Sequence, residues 1–260
     1  MKKTISAALA GVLSVLMLTA CGSVPKNTVN SVDDLEGKVI GVQLGTTGDI
    51  YAEDVKDATV EKYNKGADAV QALKQGKVDA VIIDNEPAKV FVSKNDDLKI
   101  LDDPFVVEEY AIALKQGNDE LKADINDALK TIKGNGTMDQ ILSNWIGEDA
   151  GKNPYTSPEG VKRDNGKIVM ATNAEFPPYE SMEGDKIVGI DADMMQAVCD
   201  VLGMELEIEN IEFDSIIPEI QSGKADVGAA GMTVTEDRLK NVDFSDSYAT
   251  GTQVIIVRKD

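Results

Sequence analysis

A chain of 260 residues with 42% apolar content is long enough to bury a sizeable core, as one large domain or two smaller ones. Its 46 acidic against 26 basic side chains leave a net charge of −20, which speaks against a nucleic-acid partner, since phosphate binding wants a basic face. It has no histidine, so Ser-His and Cys-His nucleophilic pairs and His-ligated metals are excluded, and the sequence implies no cofactor.

In chain order, Lys2 and Lys3 precede an apolar stretch over 5–18 that is too short for a comfortable transmembrane helix. The following "LTAC" (18–21) has the form of a bacterial lipobox, with cleavage before Cys21 and lipid on its sulfur; a plain secretory signal is the other reading. Residues 38–44 predict a strand, and "LGTTG" (44–48) joins it to a helix. Such a turn offers backbone N–H groups and the hydroxyls of Thr46 and Thr47 either to an anion or to the helix start as an N-cap. A helix over 66–77 and a buried strand over 78–84 follow, ending at Asp84, which serves either as an N-cap for a helix starting near Pro87 or as a partner for a cation.

Helices are predicted over 119–136 and 137–147, with Trp145 in the core under the second. The stretch 150–166 is rich in Gly, Pro, Ser and charge and reads as a linker able to span up to ~55 Å when extended. A strand over 167–172 leads into "EFPPYE" (175–180), where Phe176 and Tyr179 flank two prolines. The helix over 191–203 carries Cys199 on an apolar face, as a buried small hydrophobe with no disulfide partner. Its acidic start, Asp191 and Asp193, lacks the further oxygens of a calcium loop and suits a positive helix end instead. A strand (205–210), a helix (215–224) and a strand (225–231) complete the pattern. The alternation predicts α/β layers with helices over mostly parallel sheets. "ALKQGKVDAVIID" and "EIQSGKADVGAAG" share a helix, Gly-Lys, strand plan, consistent with two lobes of similar build.

The chain has only three arginines, and one of them, Arg238, lies just inside a helix start in "AGMTVTEDR" (230–238). A cation is mildly unfavourable there. Either Arg238 pairs with Glu236, Asp237 or another carboxylate, or its planar fork awaits an anion held bidentately. Thr233 adds donors beside it, and Gly231 lets backbone approach closely.

Taken together, "ATNAEFPPYE", "GIDADMMQAV", "FDSIIPEIQSGKADVGAAGMTVTEDRLKNVDFSDSY", "GVQLGTTGDIYA", "AVIIDNEPA" and "NGTMDQILSNWIG" resemble the polar amino-acid-binding proteins of ABC importers. The resemblance covers nearly all of the chain after its signal. It implies a two-lobed α/β, type II periplasmic-binding fold that closes over one free amino acid. The order departs from that family: the block that usually comes second stands first, as in a circular permutant. The implied organisation is a lipoprotein signal peptide at 1–20, a tether at 21–30, one lobe at 31–105 and a hinge strand with packing helices at 106–149. The linker at 150–166, the other lobe at 167–250 and a second hinge strand at 251–260 complete it.

A zwitterion closed off from water needs both charges paired. The resemblance assigns the ligand carboxylate to Arg238, Thr233, Gly231, Thr47 and Thr46, and the ammonium to Asp84. It packs Phe176 and Phe213 on the ligand's stem, and leaves Asn173, Glu175 and Gln43 to read its side chain. The expected partners are a free amino acid, an ABC permease and, through Cys21, the membrane; the chain is expected to be a monomer outside the cytoplasm and not an enzyme. The competing readings are a dehydratase built on this fold, with Glu175 as acid or base, and a sensing module for a separate receptor.

Overall fold

The computed structural model describes residues 24–259, so Cys21 and the expected signal segment lie outside the described residues. In the first half of the chain, β1 (Val39–Gln43), α1 (Thr47–Glu53), β2 (Thr59–Tyr63), α2 (Gly66–Lys74), β3 (Ala80–Asp84), α3 (Asn85–Ser93) and β4 (Leu98–Ile100) alternate as expected. β1, β2 and β3 are parallel, with β1 between the other two. Every residue of β3 is buried. Successive side chains point to opposite faces, so Val81 and Ile83 join the cluster beneath α2, while Ala80 and Ile82 join the one formed with Leu35, Ile40 and Ile255. Helical and loop cover on both faces explains why "AVIID" is a continuous apolar run rather than an alternating one.

The chain then leaves this lobe through β5 (Val106–Tyr110) and enters the second lobe at β6 (Ala113–Leu114). The long α4 (Asp119–Gly134) and α5 (Thr137–Trp145) follow and pack on α6. Next come β7 (Lys167–Thr172), a small antiparallel sheet of β8 (Glu175–Phe176), β9 (Glu180–Glu183) and β10 (Lys186–Val188), then α6 (Ile190–Leu202) and β11 (Glu205–Asn210). The chain ends through α7 (Ile216–Ser222), β12 (Val227–Gly228), α8 (Glu236–Leu239), β13 (Asp243–Phe244) and the ten-residue β14 (Ala249–Arg258).

The second sheet runs β11-β7-β12-β6-β13, and the first runs β2-β1-β3-β14-β4 with β5 beside β14. Each is parallel in one half and antiparallel in the other. The expectation of mostly parallel sheets is corrected here: β6 and β14 enter each sheet from the opposite lobe and run against its parallel strands. The strand expected over 225–231 is also shorter, because the chain turns away at Gly231 with φ of 54°.

Two strands connect the lobes. β5 and β14 pair antiparallel from Tyr110 opposite Ala249 to Val106 opposite Gln253, and Gln253 also stands opposite Asp84 of β3. The Tyr110 ring lies flat over Gly251, where a Cβ would come within 2.2 Å of the ring's ζ carbon and hydroxyl. At the far end of β14, Arg258 donates to the carbonyls of Pro25, Leu73 and Val78 at 3.0, 2.8 and 2.7 Å. This clasps the two ends of the described chain and places a cation at the C-terminus of α2, where it is favourable.

The segment 150–166 has little regular structure, but it does not hang free. The Tyr155 hydroxyl donates to Asp200 of α6 at 2.9 Å, and Arg163 Nε donates to the same carboxylate at 3.0 Å. Trp145 is half-buried rather than fully in the core, because its indole N–H reaches Asp193 at 2.7 Å. Cys199 is free and fully buried.

Candidate functional site

Where β1 ends, Gly45 turns the chain with φ of 77°, and Thr46 caps α1 by accepting from the Asp49 N–H at 3.3 Å. The capping role thus falls to Thr46, which leaves the neighbouring Thr47 hydroxyl for other work. β3 ends at Asp84, which occupies the N-cap position of α3 yet makes no capping bond with its side chain. Its carboxylate instead accepts from the Tyr110 hydroxyl. From the second lobe come Gly231, Thr233 and Arg238, with Phe176 and Phe213 above them. Together with Gln43 and Ala230, these residues line one cleft of ≈ 280 Å³, mouth included.

Arg238 is 6% exposed. One guanidinium nitrogen donates to the Thr233 carbonyl at 2.8 Å, and another reaches across to the Gly45 carbonyl of the other lobe at 3.1 Å. The group stands 5.4 Å from the centre of the Phe213 ring, within cation–π range. It pairs with neither Glu236 nor Asp237; Asp237 is bound to Lys240 instead. Among the described residues Arg238 has no salt bridge, so a buried cation with five donors is met mainly by two carbonyls. Burial pulls its pKa below the usual guanidinium value, against the opposing pull of Glu108 and Asp84.

Burial pushes the Asp84 carboxyl up to about 7; the Tyr110 hydroxyl opposes the shift and the charge of Glu108 adds to it. Two opposite charges from different lobes therefore face one cleft, both nearly out of water.

Nine of the eleven residues expected at the ligand line this cleft. The exceptions are Glu175 and Asn173, the latter standing behind it. Its Oδ1 accepts from Gln43 Nε2 at 2.9 Å, while its own Nδ2 donates to the Ile211 carbonyl at 2.8 Å. It thus positions Gln43 from the opposite lobe. Glu175 lies at the rim, paired with Lys65 at 2.6 Å across the lobes, both side chains substantially exposed. Tyr179 is core, stacked on Phe176 and edge-on to Tyr110, with ring centres 5.9 and 5.1 Å apart.

Three residues were not foreseen. Glu108 of β5 is 4% exposed. Its Oε2 accepts from Thr47 Oγ1 at 3.0 Å, Thr233 Oγ1 at 3.1 Å and Gln253 Nε2 at 3.0 Å. Gln253 also donates to Thr47 Oγ1 at 3.2 Å. The two connecting strands thus supply part of the site's polar network. The available signal was alternation: in "VVEEY" Glu108 shares a strand face with Tyr110. The third is Asp191, read from the sequence as a helix-end charge. It is fully buried and accepts from the Gly231 N–H at 2.8 Å and the Tyr248 hydroxyl at 2.9 Å, which fixes the backbone that lines the cleft. Burial pushes its carboxyl up to about 6, and that of neighbouring Glu180 well above the usual range.

This arrangement coincides with clear relationships to known proteins. The profile of the bacterial extracellular solute-binding proteins, family 3, matches residues 27–148 and 168–260. The chain is 38% identical over 105 residues to the arginine-binding extracellular protein ArtP of Bacillus subtilis (strain 168), covering 40% of this chain and 41% of that one. It is 33% identical over 129 residues to the L-cystine-binding protein TcyJ of Escherichia coli (strain K12), covering 49% and 48%. It therefore spans less than half the length of these curated relatives. A solved structure of an ancestral arginine-binding protein bound to arginine matches at 47% identity over 31% of this chain and 36% of that one, with a TM-score of 0.30. With the family profile covering both lobes and omitting only residues 1–26 and 149–167, the chain belongs to the bacterial extracellular solute-binding proteins, family 3.

Proposed function

We propose that this protein binds one free polar amino acid between its lobes outside the cytoplasm and delivers it to an ABC importer permease. One observation carries the reading: buried Arg238 and buried Asp84, of opposite charge and from opposite lobes, line the same narrow cleft. A zwitterion supplies the two charges that such a pair lacks. Its carboxylate takes the spare donors of Arg238 with help from the Gly231 turn and the threonines; its ammonium takes Asp84. Phe176 and Phe213 cover the stem, and Gln43, held by Asn173, faces the side chain. Because these groups sit on different lobes, the bound ligand favours the closed arrangement by contacts available only there.

The protein acts by binding, without chemical turnover. Glu175, the acid or base that a dehydratase would need, is engaged with Lys65 at the rim. Membrane attachment through a lipid on Cys21, a monomeric state and a circularly permuted order of the two family blocks belong to the same proposal. The last is supported by the family match falling into two stretches separated at 149–167.

The test is a thermal-shift screen of the twenty amino acids with direct calorimetry on the hits. A ligand at 100 times its Kd adds ~2.7 kcal/mol to stability, an easily visible shift. No shift with any amino acid would sink the proposal.

A further inference from the structure

Two carboxyl groups beside the cleft, Glu180 and Asp191, are both completely buried. Local backbone brings them together. Gly189, with φ of 141°, lies against the Tyr179 carbonyl, where a Cβ would come within 2.0 Å. The Ile190 and Asp191 N–H groups then donate to the Pro178 and Tyr179 carbonyls at 3.1 and 3.0 Å, so the start of α6 is pinned to the start of β9. This sets the Glu180 and Asp191 side chains within hydrogen-bond reach of each other. Asp191 Oδ2 accepts from the Gly231 N–H and the Tyr248 hydroxyl. Its Oδ1 and both oxygens of Glu180 are buried, and among the described residues no N–H or hydroxyl group donates to them.

Two carboxylates cannot hydrogen-bond to each other, and two adjacent negative charges are not buried together without a cation. Among the described residues neither group is paired with a Lys or Arg. The other ionisable groups that face the pair are all acids: Asp84 from β3, Glu86 from α3, Tyr179 before β9 and Tyr248 before β14. Asp193, also on α6, is taken up by the Trp145 indole of α5. One proton resolves the whole set, because it turns Glu180 into a donor and gives Asp191 Oδ1 the partner it lacks.

We propose that Glu180 carries this proton at neutral pH, donates it in a hydrogen bond to Asp191 Oδ1, and so acts through Asp191 as a positioning residue for the Gly231 turn. Burial first, and then the charge of Asp191, raise the Glu180 carboxyl well above the usual range. Burial raises Asp191 only to about 6, because Gly231, Tyr248 and Glu180 all donate to it. Asp191 is thus the ionised member, and a charged acceptor holds the Gly231 N–H more strongly than a neutral one. Without the Glu180 donor, Asp191 must take up a proton itself or turn away, and either change loosens the turn. Gly231 lines the cleft, so the bearing of the pair on binding rests on the reading that the cleft holds a free amino acid. The proton and the turn do not.

The experiment combines infrared spectroscopy with amide exchange at Gly231, followed by NMR, on the ligand-free whole protein. At pH 8 the wild type should show the carbonyl stretch of a protonated carboxylic acid, absent from Glu180→Gln and kept in Asp84→Asn. Glutamine supplies a permanent N–H donor of the same length, so Gly231 exchange in Glu180→Gln should match the wild type. Glu180→Met keeps the unbranched shape without a donor, and Gly231 should exchange about tenfold faster, the scale of one hydrogen bond. The proposal is overturned if the acid band is missing from the wild type or survives in Glu180→Gln. It is equally overturned if Glu180→Met leaves Gly231 exchange unchanged, or if Glu180→Gln exchanges as fast as Glu180→Met or fails to fold. Should Glu180→Met fail to fold, the band and the glutamine variant decide alone. No amino acid enters these measurements, so failure of the binding function shows only in the thermal-shift screen.

Discussion

Asp84→Asn should make the ligand-free protein more stable as pH rises while abolishing its response to amino acids. The carboxyl titrates at about 7 in the folded protein and near 3.9 in an unfolded chain. Between those values the native state holds one proton more than the unfolded state, so wild-type stability declines as pH rises through the window. Asparagine has no proton to lose, so the decline from this position vanishes. The gap of about three pH units, at ~1.36 kcal/mol each, sets a ceiling of about 4 kcal/mol. The stability difference between variant and wild type should be near zero at pH 4, grow through pH 5 to 7 and level off above. Asp191, pushed up to about 6 by burial, contributes equally in both proteins and cancels in the comparison, whereas Glu180, whose carboxyl is raised in part by the charge of Asp84, is relaxed by the substitution in the same direction. Urea unfolding followed by circular dichroism at four pH values between 4 and 8 measures it. A difference that does not change with pH would refute the placement of Asp84 as a desolvated carboxyl facing the cleft.

Arg238→Ala should raise the Kd of the bound amino acid by about a hundredfold or more, because removing one partner of a buried charge pair costs ~3–5 kcal/mol; calorimetry with an intact circular dichroism spectrum checks it, and near-wild-type affinity would count against the site. Gly231→Ala should destabilise the fold by roughly 1–3 kcal/mol and weaken binding, since the residue sits at φ of 54° and an added Cβ would lie 2.9 Å from the Phe176 ring; urea unfolding and titration report both. Lys65→Ala removes an exposed pair at the rim and should leave the melting temperature and the affinity unchanged, because such pairs contribute little; a clear loss of affinity would give the rim a role in binding.

Much of this plan was legible in the chain because it is carried by short-range rules. Short buried apolar runs and period-3.6 apolar patterns located β1, β3, β7, α4 and α6 within a few residues, and an arginine inside a helix start marked itself as misplaced unless an anion were near. The three misses share a different cause. Glu108, Gln253 and Asp191 act through partners 40 to 206 positions away in sequence, and no local pattern separates a buried carboxylate with distant donors from one facing water. In "VVEEY" the two glutamates are chemically identical; only the pairing of β5 with β14 decides that Glu108 turns inward. The expectation of parallel sheets failed for the same reason, since strand direction depends on which lobe supplies the strand.

The close seat of Tyr110 over Gly251 links three strands in one chain of cause. The glycine's bare Cα lets the ring lie down, the ring's position brings its hydroxyl to Asp84, and that hydroxyl restrains the rise in the carboxyl's proton affinity. A methyl group added at 251, remote from any ligand, would lift the phenol and alter the protonation of an acid on a neighbouring strand. The joint between the lobes is therefore also a component of the binding chemistry, and wear at the joint would be read out as a change of acidity.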